Sequence, residues 1–255
     1  MEVLDLYIDK GSRCFVVGDV AGHFSGLSRL IDKVDFNPNV DKVVLNGNFL
    51  GYTPSSRQAL AWMKKPWVIA LMGPNEAAIL HSLQGLSAAS LAGQWLDLVG
   101  EGYKDAWITM LEALPVALEV RSHVSHVVVS HCPLKHSKTW QDQRSELESW
   151  NGQAPDVYKL FDGRLMGLSA TGRLSTQHNF FAEGEPISLS SFHMENPAKA
   201  VVRKGRYVFL TGSAHMHHGD RYEQECLLPF VELSSLESTN NEEKICHGSM
   251  GIKPR

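Results

Sequence analysis

The chain has 255 residues, of which 43% are hydrophobic and 20% are charged, and its formal net charge is -4. This length is ordinary for one large α/β domain with a sizeable core, and the composition is typical of a globular protein. The weak negative charge argues against a bulk nucleic-acid footprint, which requires clustered lysine and arginine. We therefore predict no nucleic-acid partner.

The four cysteines indicate a reduced chain. Cys14, Cys132, Cys226 and Cys246 are widely spaced, without the C-x-x-C pattern of a zinc module or the density of a disulfide framework. The first ten residues mix polar and apolar types, so we expect no signal peptide. No apolar run approaches the roughly 20 residues of a membrane span. We predict a cytoplasmic protein without membrane contact.

The first third of the chain alternates β-rich and helical runs. Short apolar runs typical of strands cover 13–17, 42–45 and 67–71. Apolar spacing and helix start signals predict helices that cover 24–34, 55–65 and 75–83. This β-α-β-α-β order predicts parallel strands joined by right-handed crossovers.

Each of these three strands ends in a glycine followed by a polar or turn residue. The pairs are Gly18-Asp19, Gly47-Asn48 and Gly73-Pro74. Ligands of such sheets bind beyond the carboxyl ends of the strands. The three loops should therefore meet at one edge of the sheet.

The rest of the chain is less regular. The predicted elements are, in order, a helical stretch (87–113), two strands (116–120 and 124–129), a helix around Glu146 and two closing strands (206–210 and 226–233). The polar stretch 234–255 is predicted to be a loose tail, so the domain should span residues 1–233.

Three runs carry a resemblance to a known family. They read VVGDVAGHFSGLSRLIDKVDFNP, VVLNGNFLGYTPSS and PWVIALMGPNE. They are similar to the bacterial and phage branch of the calcineurin-like metal-dependent serine/threonine phosphoprotein phosphatases, which carry GDxHG, GDxxDRG and GNHE at these separations. The resemblance implies an α/β fold, namely a four-layer αββα sandwich of the metallophosphoesterase type.

In that family two divalent cations polarise the phosphate and generate a hydroxide nucleophile. The resemblance implies that this chain keeps only Asp19 and His131 among the metal ligands. Residues that replace a histidine, an aspartate, an asparagine and a histidine of the family are Ala21, Asn48, Pro74 and Leu168. A protein metal site usually needs three or four protein ligands, so we predict no dinuclear centre and no cofactor.

The other catalytic roles also lack their residues. The histidine that protonates the leaving group corresponds to Asn75. The two arginines that grip the phosphate correspond to positions within Gly51-Tyr52-Thr53 and to Gly152. We therefore expect no catalytic residues in this chain.

A vestigial cleft is expected instead. Its residues are Asp19, Asn48, Asn75, Glu76 and His131. Asp19 and His131 are either structural residues or weak candidates for metal contact. Glu76 is expected at the start of a helix, where its charge suits the helix dipole.

A second group of ligand-type residues lies near the C-terminus. It consists of His215, His217, His218 and Asp220. His215 and His217 are weak candidates for a replacement mononuclear metal site, and a solvated loop is the other interpretation. Cys132 directly follows His131, and adjacent strand residues point to opposite faces, so we expect Cys132 in the core rather than in a thiol–imidazole pair.

Two classes of function stay open. The preferred hypothesis is a pseudophosphatase, which binds a protein partner as a regulatory or structural subunit. The alternative is a phosphoesterase for phosphate monoesters with a repurposed or weakly active site, dependent on manganese or another divalent cation. The segment 234–255, which carries Ile245 and Ile252 among polar residues, is either a partner-binding segment or an unstructured end.

Overall fold

The computed structural model describes residues 2–87, 93, 95–96, 100–162, 185–192, 201–204, 206–211, 228–236 and 247–250. The strands are β1 (Val3–Ile8), β2 (Cys14–Val17), β3 (Lys42–Leu45), β4 (Val68–Ala70), β5 (Ala117–Ser122), β6 (His126–Ser130), β7 (Ile187–Phe192), β8 (Val201–Lys204), β9 (Tyr207–Thr211), β10 (Leu228–Glu232) and β11 (His247–Met250). The α-helices are α1 (Phe24–Lys33), α2 (Ala59–Trp62), α3 (Pro74–Leu83), α4 (Lys104–Glu112) and α5 (Trp140–Glu148).

One sheet contains the strands that carry the three Gly-containing loops. Its strand order is β11-β10-β2-β3-β4. The pairs β2–β3 and β3–β4 are parallel, which confirms the predicted β-α-β-α-β unit, and β10 runs antiparallel to β2. The loops after β2, β3 and β4 therefore leave the sheet at the same edge.

The second sheet has the strand order β1-β5-β6-β7-β9-β8. Its central pairs β6–β7 and β7–β9 are parallel, whereas β5–β6 and β8–β9 are antiparallel. β6 is the strand that precedes His131, so this sheet delivers one side chain to the cleft formed by the loops of the first sheet.

The two sheets pack face to face. Along β2, Val16 belongs to an apolar cluster shared with Leu118 and Leu210 of the second sheet, whereas Phe15 and Val17 belong to a cluster shared with the helices. This alternation follows from the two-residue period of a strand, which gives each sheet one face toward the other sheet and one toward helices. The predicted four-layer αββα sandwich is confirmed.

Several predicted elements differ from the observed ones at their ends. The predicted helix over 55–65 begins as a 3₁₀ turn, Pro54–Gln58, and continues as α2. The described part of the predicted helical stretch over 87–113 contains a 3₁₀ turn, Glu101–Tyr103, and α4. Among the described helices, none is long and apolar enough to cross a bilayer.

Four strands, β1, β7, β8 and β11, were not predicted individually, because each is recognised as a strand through its pairing with a neighbouring strand. β1 pairs with β5 in parallel, and β11 pairs with β10 in antiparallel register. The loose tail predicted from residue 234 is corrected at two places: Leu233–Leu236 forms a 3₁₀ turn with Leu233 and Leu236 buried, and His247–Met250 is a strand. The reason is that β10 presents backbone donors and acceptors on its outer side, which another strand satisfies. The boundary at residue 233 stays a prediction.

Glu76 joins two of the loops to the start of α3. Its buried carboxylate accepts backbone N–H bonds from Asn48 (2.7 Å), Leu50 (2.8 Å) and Gly73 (2.9 Å). The structure thus places Glu76 in the first turn of α3, at the start of the helix as expected. This carboxylate fixes the loop after β3 relative to the loop after β4, and it thereby positions Asn48.

Burial raises the pKa of the Glu76 carboxyl from 4.5 to about 7, and the backbone N–H donors oppose that rise. Because the folded-state pKa lies above the unfolded value, the protonated acid favours folding. The associated stability is fully present below pH 4.5 and is lost as the pH rises through about 7.

Replacing Glu76 with Ala should lower the free energy of unfolding by about 3 kcal/mol, because buried backbone N–H groups lose their acceptor. Urea denaturation followed by circular dichroism measures the change. The matched control is Glu112→Ala at an exposed site on α4, for which a change below about 0.5 kcal/mol is expected. A Glu76→Ala effect as small as that of the control would contradict the tie between the loops.

Glu76→Gln tests the charge separately from the acceptor. The stability of the wild type relative to this variant should decline between pH 4.5 and about 7 and then level off. Denaturation midpoints measured across this range report the difference. A pH-independent difference would show that the raised pKa plays no part in the stability of the fold.

Candidate functional site

The three loops meet as predicted. The backbone N–H of Ala21 donates to Asn48 O at 2.9 Å, and that of Gly22 donates to Phe49 O at 2.8 Å. These bonds join the loop after β2 to the loop after β3, and Glu76 joins the latter to the start of α3. The carboxyl end of β6 adds His131 to the same place.

Two glycines allow the loops after β3 and β4 to touch. A Cβ on Gly47, whose φ is +74°, would lie 2.7 Å from the Cα of Gly73 and 2.9 Å from His131 Nδ1. A Cβ on Gly73 would lie 2.2 Å from the backbone nitrogen of Asn48. Neither position has room for a side chain, so the backbone itself forms the floor of the cleft.

Asn48 lies at the centre of the cleft. Its side-chain Nδ2 lies 3.1 Å from Asp19 Oδ2 and 3.3 Å from His131 Nε2. Its φ of +48° belongs to the left-handed region, which asparagine tolerates better than most residues. The amide therefore bridges Asp19 and His131, the two residues expected from the family resemblance to match metal ligands.

The orientation of this amide follows from its neighbours. The backbone N–H of Asn75 donates to Asn48 Oδ1 at 3.0 Å, so the oxygen must face Asn75 and the nitrogen must face Asp19 and His131. His131 Nδ1 lies 2.8 Å from the carbonyl oxygen of Asn46, which can only accept, so Nδ1 carries a proton. In the neutral imidazole, Nε2 is then an acceptor, and Asn48 Nδ2 donates to it.

Asp19 and His131 are both buried, with 6% and 7% of their surfaces exposed. Asp19 Oδ1 lies 4.0 Å from His131 Nδ1. The structure thus brings the two retained residues together, in a place that excludes most solvent. A metal ion here would have to compete with the hydrogen bonds of Asn48.

The residues present do not fit a pair of divalent cations. Ala21 and Pro74 offer no side-chain donor atom, and Asn48 directs N–H groups, not its oxygen, at Asp19 and His131. In the part of the chain that the structure describes, no three His, Cys, Asp or Glu side chains are grouped as metal ligands. One carboxylate and one imidazole are fewer ligands than a stable site needs.

Asn75, at the position of the leaving-group acid, and Gly51, next to the arginine position Tyr52, make backbone contacts instead. Asn75 Nδ2 donates to Leu50 O at 2.8 Å, which fixes the loop after β3. Gly51 packs against Ala21, since a Cβ there would lie 2.2 Å from Ala21 O, and Trp95 Nε1 donates to Gly51 O at 2.8 Å. These contacts are structural, and none supplies a proton or a positive charge.

Asn46 and Ser191 are the polar residues that the sequence analysis missed. Asn46 is fully buried, accepts from His131 and donates through Nδ2 to Ser191 Oγ at 3.4 Å. The available signal was an asparagine that directly follows an apolar strand, VVLN, where burial requires a polar partner. Ser191 lies 145 residues away, and no sequence signal connects the two.

Several predicted site residues lie outside the described residues. They are Leu168, His215, His217, His218 and Asp220. Cys132 is buried, and burial raises the pKa of its thiol to about 12. It therefore remains a neutral thiol near pH 7, as expected for a core residue rather than a nucleophile.

No family model matches the chain. In sequence, the chain is similar to serine/threonine-protein phosphatase 1 of Salmonella typhimurium, with 29% identity over 183 residues, which is 68% of this chain and 78% of that protein. It is also similar to a symmetrical bis(5'-nucleosyl)-tetraphosphatase of Paracidovorax citrulli, with 27% identity over 127 residues. That match covers 49% of this chain but only 45% of that relative.

In structure, the chain is similar to a protein serine/threonine phosphatase from Saccharomyces cerevisiae, with a TM-score of 0.60 and 12% identity. This likeness covers 98% of this chain and 84% of the yeast protein, and it concerns the fold alone. The resemblance found in the sequence is thereby confirmed: the chain is similar in sequence to a bacterial serine/threonine-protein phosphatase, and its fold is the calcineurin-like metallophosphoesterase fold.

Proposed function

We propose that this protein is a catalytically inactive relative of the metal-dependent phosphatases, which acts in the cytoplasm by binding a protein partner as a regulatory or structural subunit. It requires no metal ion or other cofactor. The observation that carries the proposal is the Asn48 side chain, whose amide nitrogen bonds to Asp19 and His131.

Hydrolysis of a phosphate monoester by this family of folds needs a nucleophile, a proton donor and positive charge to stabilise the transition state. In this chain the amide of Asn48 lies between the two retained ligands, and the amide of Asn75 is bonded to Leu50 O. Neither amide can replace a metal-bound hydroxide or deliver a proton near neutral pH. The proposed inactivity therefore follows from the lack of both a nucleophile and a proton donor.

The packing around the cleft supports a protein that still has to fold. The Glu76 carboxyl keeps its backbone N–H partners, and Gly47 remains in close contact with Gly73. The two cysteines in the described ranges, Cys14 and Cys132, are buried free thiols, in keeping with a reducing compartment. A binding role uses this scaffold without using its former chemistry.

The alternative function is a metal-dependent phosphoesterase with a weak or repurposed site. The 4.0 Å approach of Asp19 to His131 favours it, because a carboxylate and an imidazole still lie side by side. The proteins to which the chain is similar are named as phosphatases and tetraphosphatases. The two functions differ in metal content and in turnover.

The purified wild type, supplied with manganese, should hold well under one equivalent of metal and show no turnover of an aryl phosphate above the protein-free background. The reason is that, among the described residues of the cleft, only Asp19 and His131 offer ligand atoms to a metal ion. Elemental analysis and a phosphate-release assay measure the two quantities. Serine/threonine-protein phosphatase 1 of Salmonella typhimurium is the positive control.

Asp19→Ala is the matched variant for this assay. If the wild type shows turnover and Asp19→Ala does not, the proposed inactivity is refuted and the phosphoesterase function is supported. Two equivalents of bound manganese would do the same. Background turnover that is equal in both proteins is the result that we expect.

Affinity capture from the native host should yield one partner at constant stoichiometry with the wild type and with Asp19→Ala. The amount captured should not fall when inorganic phosphate and manganese are added, because the partner is not held as a substrate. Quantitative mass spectrometry of the eluates measures the ratio.

The same capture is repeated with a lysate that has been treated with an active phosphatase. An undiminished partner signal is expected. A partner that is lost after this treatment, or that phosphate displaces, is held through a phosphoryl group and would favour the alternative function.

A further inference from the structure

One atom of Asn48 stands in the way of a cation between Asp19 and His131. Every polar atom of Asn48 takes part in a hydrogen bond to another segment of the chain. Its backbone N–H donates to Glu76, its carbonyl oxygen accepts from Ala21, and its Oδ1 accepts from the N–H of Asn75. Its Nδ2 completes the set by donating to Asp19 and His131.

Because Nδ2 is a hydrogen-bond donor, it suits a cleft that holds no metal ion. Asp19 Oδ2 is an acceptor, and His131 Nε2 is an acceptor because Nδ1 donates to Asn46 O. An amide nitrogen offers two N–H groups, one for each of them. A carboxylate oxygen in place of Nδ2 would face the lone pairs of Asp19 Oδ2 and His131 Nε2 and the negative charge of Asp19. Only a cation could then hold the three groups together.

The spacing of these atoms suits a cation once the amide is gone. Neighbouring ligand atoms around an octahedral ion with bonds of about 2.1 Å are about 3 Å apart. The distances from Nδ2 to Asp19 Oδ2 and to His131 Nε2 are 3.1 and 3.3 Å. His131 also donates its other ring nitrogen to a carbonyl, as metal-binding imidazoles do.

We propose that the Asn48 amide has taken over the structural role of a metal ion by cross-linking Asp19 to His131, and that it alone keeps a single divalent cation from binding there. The inference rests on the metal-free cleft that the proposed function also assumes, but it makes no use of a partner. It concerns one cation and not two, because Ala21 and Pro74 leave a second ion without side-chain ligands.

The test is Asn48→Asp, studied in the full chain with manganese as the probe. Without metal, the melting temperature of the variant should fall by about 10 °C, because two hydrogen bonds are replaced by charge repulsion. Millimolar manganese should restore about 5 °C or more, and elemental analysis should show one bound ion. The wild type should shift by about 1 °C or less with manganese or with a chelator.

Three matched variants isolate the cause. Asn39→Asp adds the same charge at an exposed site and should not respond to manganese. Asn48→Gly removes the cross-link without adding a charge, and glycine tolerates the positive φ of this position. In the presence of a chelator its melting temperature should be higher than that of Asn48→Asp. Manganese should not change its melting temperature. In Asn48→Asp, the further change His131→Ala should abolish the response to manganese.

A variant Asn48→Asp that is as stable as the wild type, or that ignores manganese, overturns the inference. So does a variant that stays insoluble with and without manganese while Asn48→Gly folds. If the wild type shows no turnover but Asn48→Asp ignores manganese, this inference alone fails. If Asn48→Asp binds one ion but no partner is captured by the wild type, the proposed function alone fails.

Discussion

The cleft of this protein depends on one amide that lies between a buried carboxylate and a buried imidazole. Asn48 donates to Asp19 and His131, and its own oxygen is fixed by the N–H of Asn75. Buried polar groups are costly unless they are bonded, so the hydrogen bonds of Asn48 stabilise the burial of both side chains. The same bonds occupy Nε2 of His131 and one carboxylate oxygen of Asp19, so a metal ion could reach these two atoms only by displacing the amide.

The surrounding scaffold explains how such a change is tolerated. Glu76 holds the loops after β3 and β4 through backbone N–H groups, and Gly47 packs directly against Gly73. None of these contacts involves a metal ligand. The shape of the cleft therefore depends on the two-sheet core and on these backbone contacts.

Much of the fold was predictable because its signals are local. The alternation of short apolar runs with helical spacing predicted β2, β3, β4 and their parallel order, and the glycines predicted where the loops would meet. β1 was not predicted, since its partner β5 begins only at Ala117, far along the chain. Register between distant strands follows from packing, which a local pattern does not contain.

The sequence by itself determined which residues occupy the former catalytic positions, because identity and spacing are properties of the chain alone. Only the tertiary structure decided that Asn48 turns its nitrogen, rather than its oxygen, toward Asp19 and His131. That choice depends on the N–H of Asn75 and on the carbonyl of Asn46, whose positions relative to Asn48 and His131 result from the packing of two sheets. Which atom donates and which accepts depends on neighbouring groups, and only the fold brings these groups together.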